Sequence, residues 1–182
     1  TFFTGATRHV IESRVGTCSR DSVAASGQEF YFNDQYGQVR SLGQTVTGAQ
    51  AGVLPKPLSE AVANYLPGRA NLQHLAKIRS IVFKDRLYVA FPLDTSTEAN
   101  AVLVCNLAQQ ERPWEGPWKT PHAVGRWLIT NLRGYGDELY FTDGSTTTGP
   151  VNGSEATKVY RLFDESFADN TASIPLEYIT AA

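Results

Sequence analysis

Methionine is absent from the 182 residues, and cysteine, histidine and charge are scarce. The only cysteines, Cys18 and Cys105, are too few for a disulfide framework or a four-ligand zinc site. They are predicted to be buried thiols; a single bridge between them stays open, because it depends on a Cα separation of less than about 7 Å. Since an initiator methionine is lacking, we expect one segment, residues 1–182, of a longer chain.

Charge of either sign is limited. Charged residues make up 19% of the chain, and 16 Lys and Arg against 18 Asp and Glu leave a net charge of -2. Proteins that bind phosphate backbones normally carry a basic excess, so we expect no direct nucleic-acid groove. No apolar run approaches the roughly 20 residues that cross a bilayer, and we expect no membrane partner. The 42% hydrophobic content predicts a packed globular core.

A repeat is the strongest feature of the sequence. Three segments share a polar turn followed by an apolar-Tyr-apolar core, and their tyrosines are Tyr31, Tyr88 and Tyr140. The spacing is close to the roughly 40–50 residues of propeller repeats once an insertion is allowed. Each segment is flanked by further apolar stretches rich in Val, Ile and Phe, which favour strands. The pattern predicts three consecutive antiparallel strands per unit, with the tyrosines at equivalent places.

The predicted fold is therefore all-β, an incomplete β-propeller-like array of about three antiparallel blades plus one short inserted helix. Known rings use about four to eight blades, so three units leave the ring open, and residues 174–180 are predicted to form a strand of a fourth unit. Because bare strand edges promote association, we expect the isolated segment to oligomerise or aggregate.

The inserted helix is predicted within residues 57–68. Apolar side chains recur there at helical spacing, at Leu58, Val62, Tyr65 and Leu66. Pro67 and Gly68 would end the helix, because proline removes a donor and glycine releases the backbone. The preceding glycine-containing stretch, residues 43–52, is predicted to be a loop or a weak edge strand.

No catalytic constellation is evident. The chain has no Gly-x-Ser-x-Gly elbow, and His9, His74 and His122 stand in unrelated settings. Four aspartates at strand ends or turns could form a carboxylate pair, but aspartate also simply favours turns; these are Asp85, Asp94, Asp137 and Asp143. Residues 94–98 could offer oxygens to calcium but lack the ligand spacing of a calcium loop. We expect no enzyme activity, no cofactor and no metal.

The three tryptophans are the candidate partner-binding residues. Trp114 and Trp118 lie among prolines, and Trp127 follows. Aromatic side chains on a loop can stack on a sugar or anchor a partner. Equally, they can fill the gap between two blades. Residues 144–154 form a second candidate region, because long loops on a rigid β scaffold often bind ligands.

Residues 85–104 resemble the middle of β-propeller proteins encoded by tailed bacteriophages and prophages. In that group a tyrosine-rich strand, a "P-x-D-x-S" turn and an Asn-rich bend lead into an apolar strand and a Trp segment. Residues 58–62 match its "l-S-e-x-v" helix, and residues 15–37 resemble its first blade. The resemblance covers roughly residues 16–163, but residues 68–71 replace an expected Asn-containing stretch.

The resemblance implies a structural virion protein of the tail, neck or nozzle, assembled in the host cytoplasm. Other virion proteins and further copies of the chain would be its partners, and no catalytic residues carry over. One alternative is a carbohydrate-binding or glycoside-processing propeller, with Trp114 and Trp118 stacking on sugar rings near Asp143. A second is a scaffold domain of a secreted protein with an oxidised pair, Cys18 and Cys105.

Overall fold

The computed structural model describes residues 15–50, 55–120, 122–130, 137–144, 159–162, 168–169 and 172–173. Within these ranges the chain is mostly β, with three antiparallel sheets, a short hairpin and one α-helix. The predicted all-β class is thus confirmed. The described strands do not close into a ring. The predicted strand within residues 174–180 lies outside the described residues, as do residues 145–154 of the predicted loop.

Each sheet is assembled from strands that follow one another along the chain. Sheet I contains β1 Ala24–Ser26, β2 Glu29–Asn33 and β3 Val39–Ser41. Sheet II contains β4 Arg79–Phe83, β5 Arg86–Phe91, β6 Ala101–Asn106 and β7 Trp114–Lys119. Sheet III contains β8 Val124–Thr130, β9 Glu138–Asp143 and β10 Val159–Arg161. The hairpin pairs β11 Ala168–Asp169 with β12 Ala172–Ser173.

The repeated tyrosines occupy equivalent positions, as predicted. Each is the third residue of the second strand of its sheet. Their first-strand partners are Ala24, Ile81 and Leu128, and their third-strand partners are Ser41, Val104 and Arg161. The local pattern therefore reports a real structural repeat.

The tyrosines also point the same way through the stack of sheets. Tyr31 lies in a first core cluster between sheets I and II, whereas Tyr88 lies in a second core cluster between sheets II and III. Leu139 and Phe141 belong to the second cluster, so Tyr140 between them faces away from sheet II, because side chains alternate along a strand. Each sheet is thus oriented alike relative to the next.

The first strands of the three sheets converge. Among the described strands, β4 lies close to both β1 and β8. Side chains join the strands: the Trp127 indole Nε1 donates to the Arg79 carbonyl at 3.0 Å, and the Arg79 Nε donates to the Gly125 carbonyl at 2.9 Å. The three sheets therefore meet along their first strands.

The helix lies elsewhere than predicted. Residues 57–68 form a 3₁₀ helix at Glu60–Val62 among turns. The Ser59 hydroxyl, which could cap a helix here, instead accepts from the Val39 N–H at 2.9 Å and makes no capping hydrogen bond. Val62 and Leu66 are nevertheless buried in the first core cluster, as their spacing indicates.

The α-helix of the described residues is α1, Leu42–Gln50, where a loop or edge strand was predicted. A contact distant in sequence supports its first turn: the Gly43 N–H donates to the Glu29 carboxylate at 2.9 Å. A Cβ at Gly43 would lie 2.8 Å from that carboxylate, so a larger residue there would displace the Glu29 side chain. Tertiary contact outweighs the low helix propensity of this glycine- and threonine-containing segment.

A buried ion pair organises the end of sheet I. Arg40 Nε donates to Asp34 Oδ2 at 2.7 Å, and the two side chains are 6% and 0% exposed. Asp34 Oδ1 also accepts from the backbone N–H groups of Tyr36 and Gln38 at 2.9 and 3.0 Å. Arg40 Nη1 donates to the Pro55 carbonyl at 2.9 Å. The ion pair therefore holds the β2–β3 turn through Asp34 and the segment that follows α1 through Arg40.

Candidate partner-binding surfaces

Trp114 lies on β7 and attaches the 57–68 segment to sheet II. Its Nε1 donates to the Leu58 carbonyl at 3.1 Å, and its ring packs against the first core cluster. The same ring borders an open groove of about 450 Å³ that Lys56, Glu60 and Arg112 also line. Trp114 is thus half-buried and has both an internal contact and an accessible side.

Trp118, on the same strand, lies on the opposite face of sheet II. It packs against the second core cluster. Its partner on β6 is Val102, whereas Trp114 pairs with Cys105, and the register shifts between these two pairs. The extra residue of this β-bulge reverses which side chains share a face. Trp114 and Trp118 therefore do not form the shared sugar-stacking platform of the carbohydrate alternative.

β7 was missed by sequence reasoning because Pro113 and Pro117 argue against a strand. Proline is tolerated here since β7 is the edge strand of sheet II and Pro117 lies at the bulge. Gly116 occupies the bulge at a φ of +100°, and a Cβ there would lie 2.8 Å from the Val102 carbonyl oxygen.

Gly116→Ala is therefore expected to destabilise the protein by about 1–3 kcal/mol, through backbone strain and the clash with Val102. Gly16→Ala is the matched control, because a Cβ at Gly16 meets no atom within 4 Å. Urea unfolding of the two variants measures the difference. Equal stability of the two variants would contradict the strained bulge.

Trp127 is placed between sheets II and III. The residue is 7% exposed, and its ring lies 6.0 Å from Phe141 and 6.2 Å from Tyr88, centroid to centroid. Trp127 therefore fills the gap between two neighbouring sheets. A partner-binding role for the three tryptophans stays a prediction.

Sequence reasoning missed a trough of about 480 Å³ along the converging first strands. Residues of β1, β4 and β8 line it, together with the chain just before β1. Its charged lining consists of Arg20, Arg79, Arg126 and Asp21. Arg20 precedes β1, Arg79 begins β4 and Arg126 is the third residue of β8, and only the fold brings them together.

Of the candidate carboxylates, Asp94 is engaged in an ion pair, as is Glu98 in the same segment. Asp94 receives two hydrogen bonds of 2.8 Å from Arg69, and Glu98 receives one of 2.8 Å from Lys77. Both ends of the proposed calcium segment are thus paired with cations. Throughout the described ranges no group of three or more His, Cys, Asp or Glu side chains could hold a metal ion. His122 lies elsewhere, with Nδ1 3.9 Å from the Asp143 carboxylate.

The ion pair between Asp94 and Arg69 should stabilise the fold slightly, and this stabilisation should be lost in acid. The hydrogen bonds from Arg69 lower the pKa of the Asp94 carboxyl below its ordinary value. The stabilisation is therefore present above the unfolded-state pKa of about 3.9 and is lost as pH falls through the lower folded-state pKa. We expect Asp94→Asn to cost under about 1 kcal/mol at neutral pH, because the pair is solvent-exposed, and nothing in strong acid. Urea unfolding across pH checks this; a deficit that grows in acid would contradict it.

Both cysteines are free, so the bridge left open by the sequence is not formed. Burial raises the pKa of the Cys105 thiol to about 12 and also raises that of the Cys18 thiol. Cys105 is a core residue of the first cluster, and Cys18 packs against the same cluster. Neither thiol is poised as a nucleophile at neutral pH, since thiolates are the reactive form.

Comparisons with known proteins do not assign the chain to a family. No family model matches the chain, and neither a curated protein nor a solved structure matches it significantly. In the part of the chain that the structure describes, no helix has the length and apolar character needed to span a membrane.

Proposed function

We propose that the chain is a non-enzymatic structural protein of a tailed-phage virion, a partial β-propeller that acts through protein–protein contacts in the tail, neck or nozzle. The resemblance of roughly residues 16–163 to the propeller proteins of tailed phages supports this setting. The segments that carry the resemblance include β1 and β2 of sheet I and β5 and β6 of sheet II.

The observation that carries the propeller interpretation is the common orientation of the sheets. Tyr31 and Tyr88 each face the sheet that follows, and Tyr140 faces away from the sheet before it. The first strands of neighbouring sheets approach one another, β4 with β1 and β4 with β8. Blades of a propeller are repeated in this radial manner around an axis.

The described side chains favour a scaffold over a catalyst. The best-buried charged pair, Asp34 and Arg40, holds a turn and a loop together. Trp127 and Tyr88 fill the space between sheets. An assembly role uses such a rigid body to present surfaces to neighbours.

An exposed aromatic side chain lies on the outer side of the array. Phe30 is on the face of β2 opposite Tyr31, directed away from sheet II, and is 44% exposed. Tyr36 in the adjacent turn is 60% exposed. Aromatic side chains of this kind are enriched in protein interfaces, which supports contact with another chain on this side.

Association with particles tests the proposal. A tagged chain is produced in its host during particle production, and particles are separated from free protein by density-gradient sedimentation. We expect the chain at a fixed ratio to the particles, in complexes with tail components after mild dissociation. Recovery only as free protein would contradict the virion role. A sedimentation-velocity run on the purified chain should show oligomers; a stable monomer would contradict the incomplete ring.

A further inference from the structure

We propose that the first-strand trough binds an extended acidic segment of a partner protein, one in which apolar side chains alternate with carboxylates. This partner chemistry deepens the proposed assembly function and rests on it. The charge of the trough, its shape and the fixed position of one arginine support it.

Charge complementarity points to an acidic ligand. The trough is lined by Arg20, Arg79 and Arg126 against the single carboxylate of Asp21, whereas the whole chain carries a net charge of -2. The Arg20 side chain is 92% exposed, and Arg126 is also exposed. A positive trough in a slightly acidic protein attracts carboxylates and repels cationic segments.

Arg79 provides a rigid anchor at the trough. Its side chain is only 17% exposed. Nε donates to the Gly125 carbonyl, and Nη1 donates to the carbonyls of Ala76 and Ile78 at 2.8 and 2.9 Å. Asp21 lies 3.6 Å from Nε. These contacts hold the guanidinium in place, so a bound carboxylate would add little ordering cost on the protein side.

The remaining lining suits a peptide better than a nucleic acid. Val23 and Ile129 are 42% and 44% exposed beside the arginines. β1, β4 and β8 are also the outermost strands of their sheets on this side. Strand edges bind extended peptides through the main chain, and apolar side chains bind alternate residues of the peptide. A phosphate backbone is bound through charged and polar groups and would gain nothing from the apolar side chains of Val23 and Ile129.

A fluorescence-anisotropy titration tests the proposal. The probe is a labelled peptide in which Val alternates with Glu; a Val and Lys peptide and a single-stranded oligonucleotide are its counterparts. We expect the wild-type protein to bind the Val and Glu peptide, with affinity falling as salt rises. The double variant Arg20→Glu, Arg126→Glu should weaken binding by about tenfold or more. Both substituted side chains are exposed, and circular dichroism verifies that the variant is folded.

Lys84→Glu is the matched control, because it makes one of the same charge changes at an exposed turn outside the trough. It should bind the peptide like the wild type. Absence of binding, equal binding by the double variant, or equal binding of the Val and Lys peptide would overturn the proposal. Tighter binding of the oligonucleotide would overturn it in favour of a nucleic-acid ligand.

Particle association separates this inference from the proposed function. If the wild-type chain joins particles but does not bind the acidic peptide, the trough proposal fails and the virion role stands. If the chain binds the peptide through the two arginines but is never found with particles, the virion role fails and the acidic-peptide site stands.

Discussion

Asp34→Ala is expected to lower the free energy of unfolding by about 3–5 kcal/mol, because it leaves the Arg40 guanidinium buried without its counter-charge. The substitution also removes the acceptor of the Tyr36 and Gln38 N–H groups in the β2–β3 turn. Urea denaturation followed by tryptophan fluorescence measures the loss.

Two further variants divide this effect by cause. Asp34→Asn keeps an oxygen that can accept from the turn, so its deficit reports the missing charge. Asp94→Ala removes an aspartate that is also bonded to an arginine, but in an exposed pair whose side chains are 40% and 46% accessible. It should cost under about 1 kcal/mol. Equal losses for Asp34→Ala and Asp94→Ala would show that burial does not govern the Asp34 pair.

Trp127→Ala is expected to cost about 3–5 kcal/mol, because it opens a cavity between sheets II and III. It also removes the hydrogen bond from the indole to the Arg79 carbonyl, which ties β8 to β4. Trp127→Phe keeps most of the packing and loses that bond, and should cost about 1 kcal/mol from the bond plus a smaller packing loss.

Ile129→Ala is the control for Trp127, since Ile129 lies on the same strand and is 44% exposed. It should change stability by less than about 0.5 kcal/mol. Chemical denaturation compares the three variants. A Trp127→Ala protein as stable as Ile129→Ala would mean that this ring does not join the sheets, and would leave it available for a partner.

The amino-acid sequence by itself determined the repeat and most of the strands. Turn residues followed by an apolar-Tyr-apolar core are local signals, and the flanking branched and aromatic residues favour strands over short distances. For this reason the positions of Tyr31, Tyr88 and Tyr140 could be predicted without knowing what they contact.

The tertiary structure alone decided the features that depend on distant residues. α1 is supported by Glu29 of β2, and β7 tolerates its prolines because it lies at a sheet edge with a bulge. The trough arises only when β1, β4 and β8 converge and bring Arg20, Arg79 and Arg126 together. Local propensity carries no information about these contacts between distant residues, because the contacts are set by how the sheets pack.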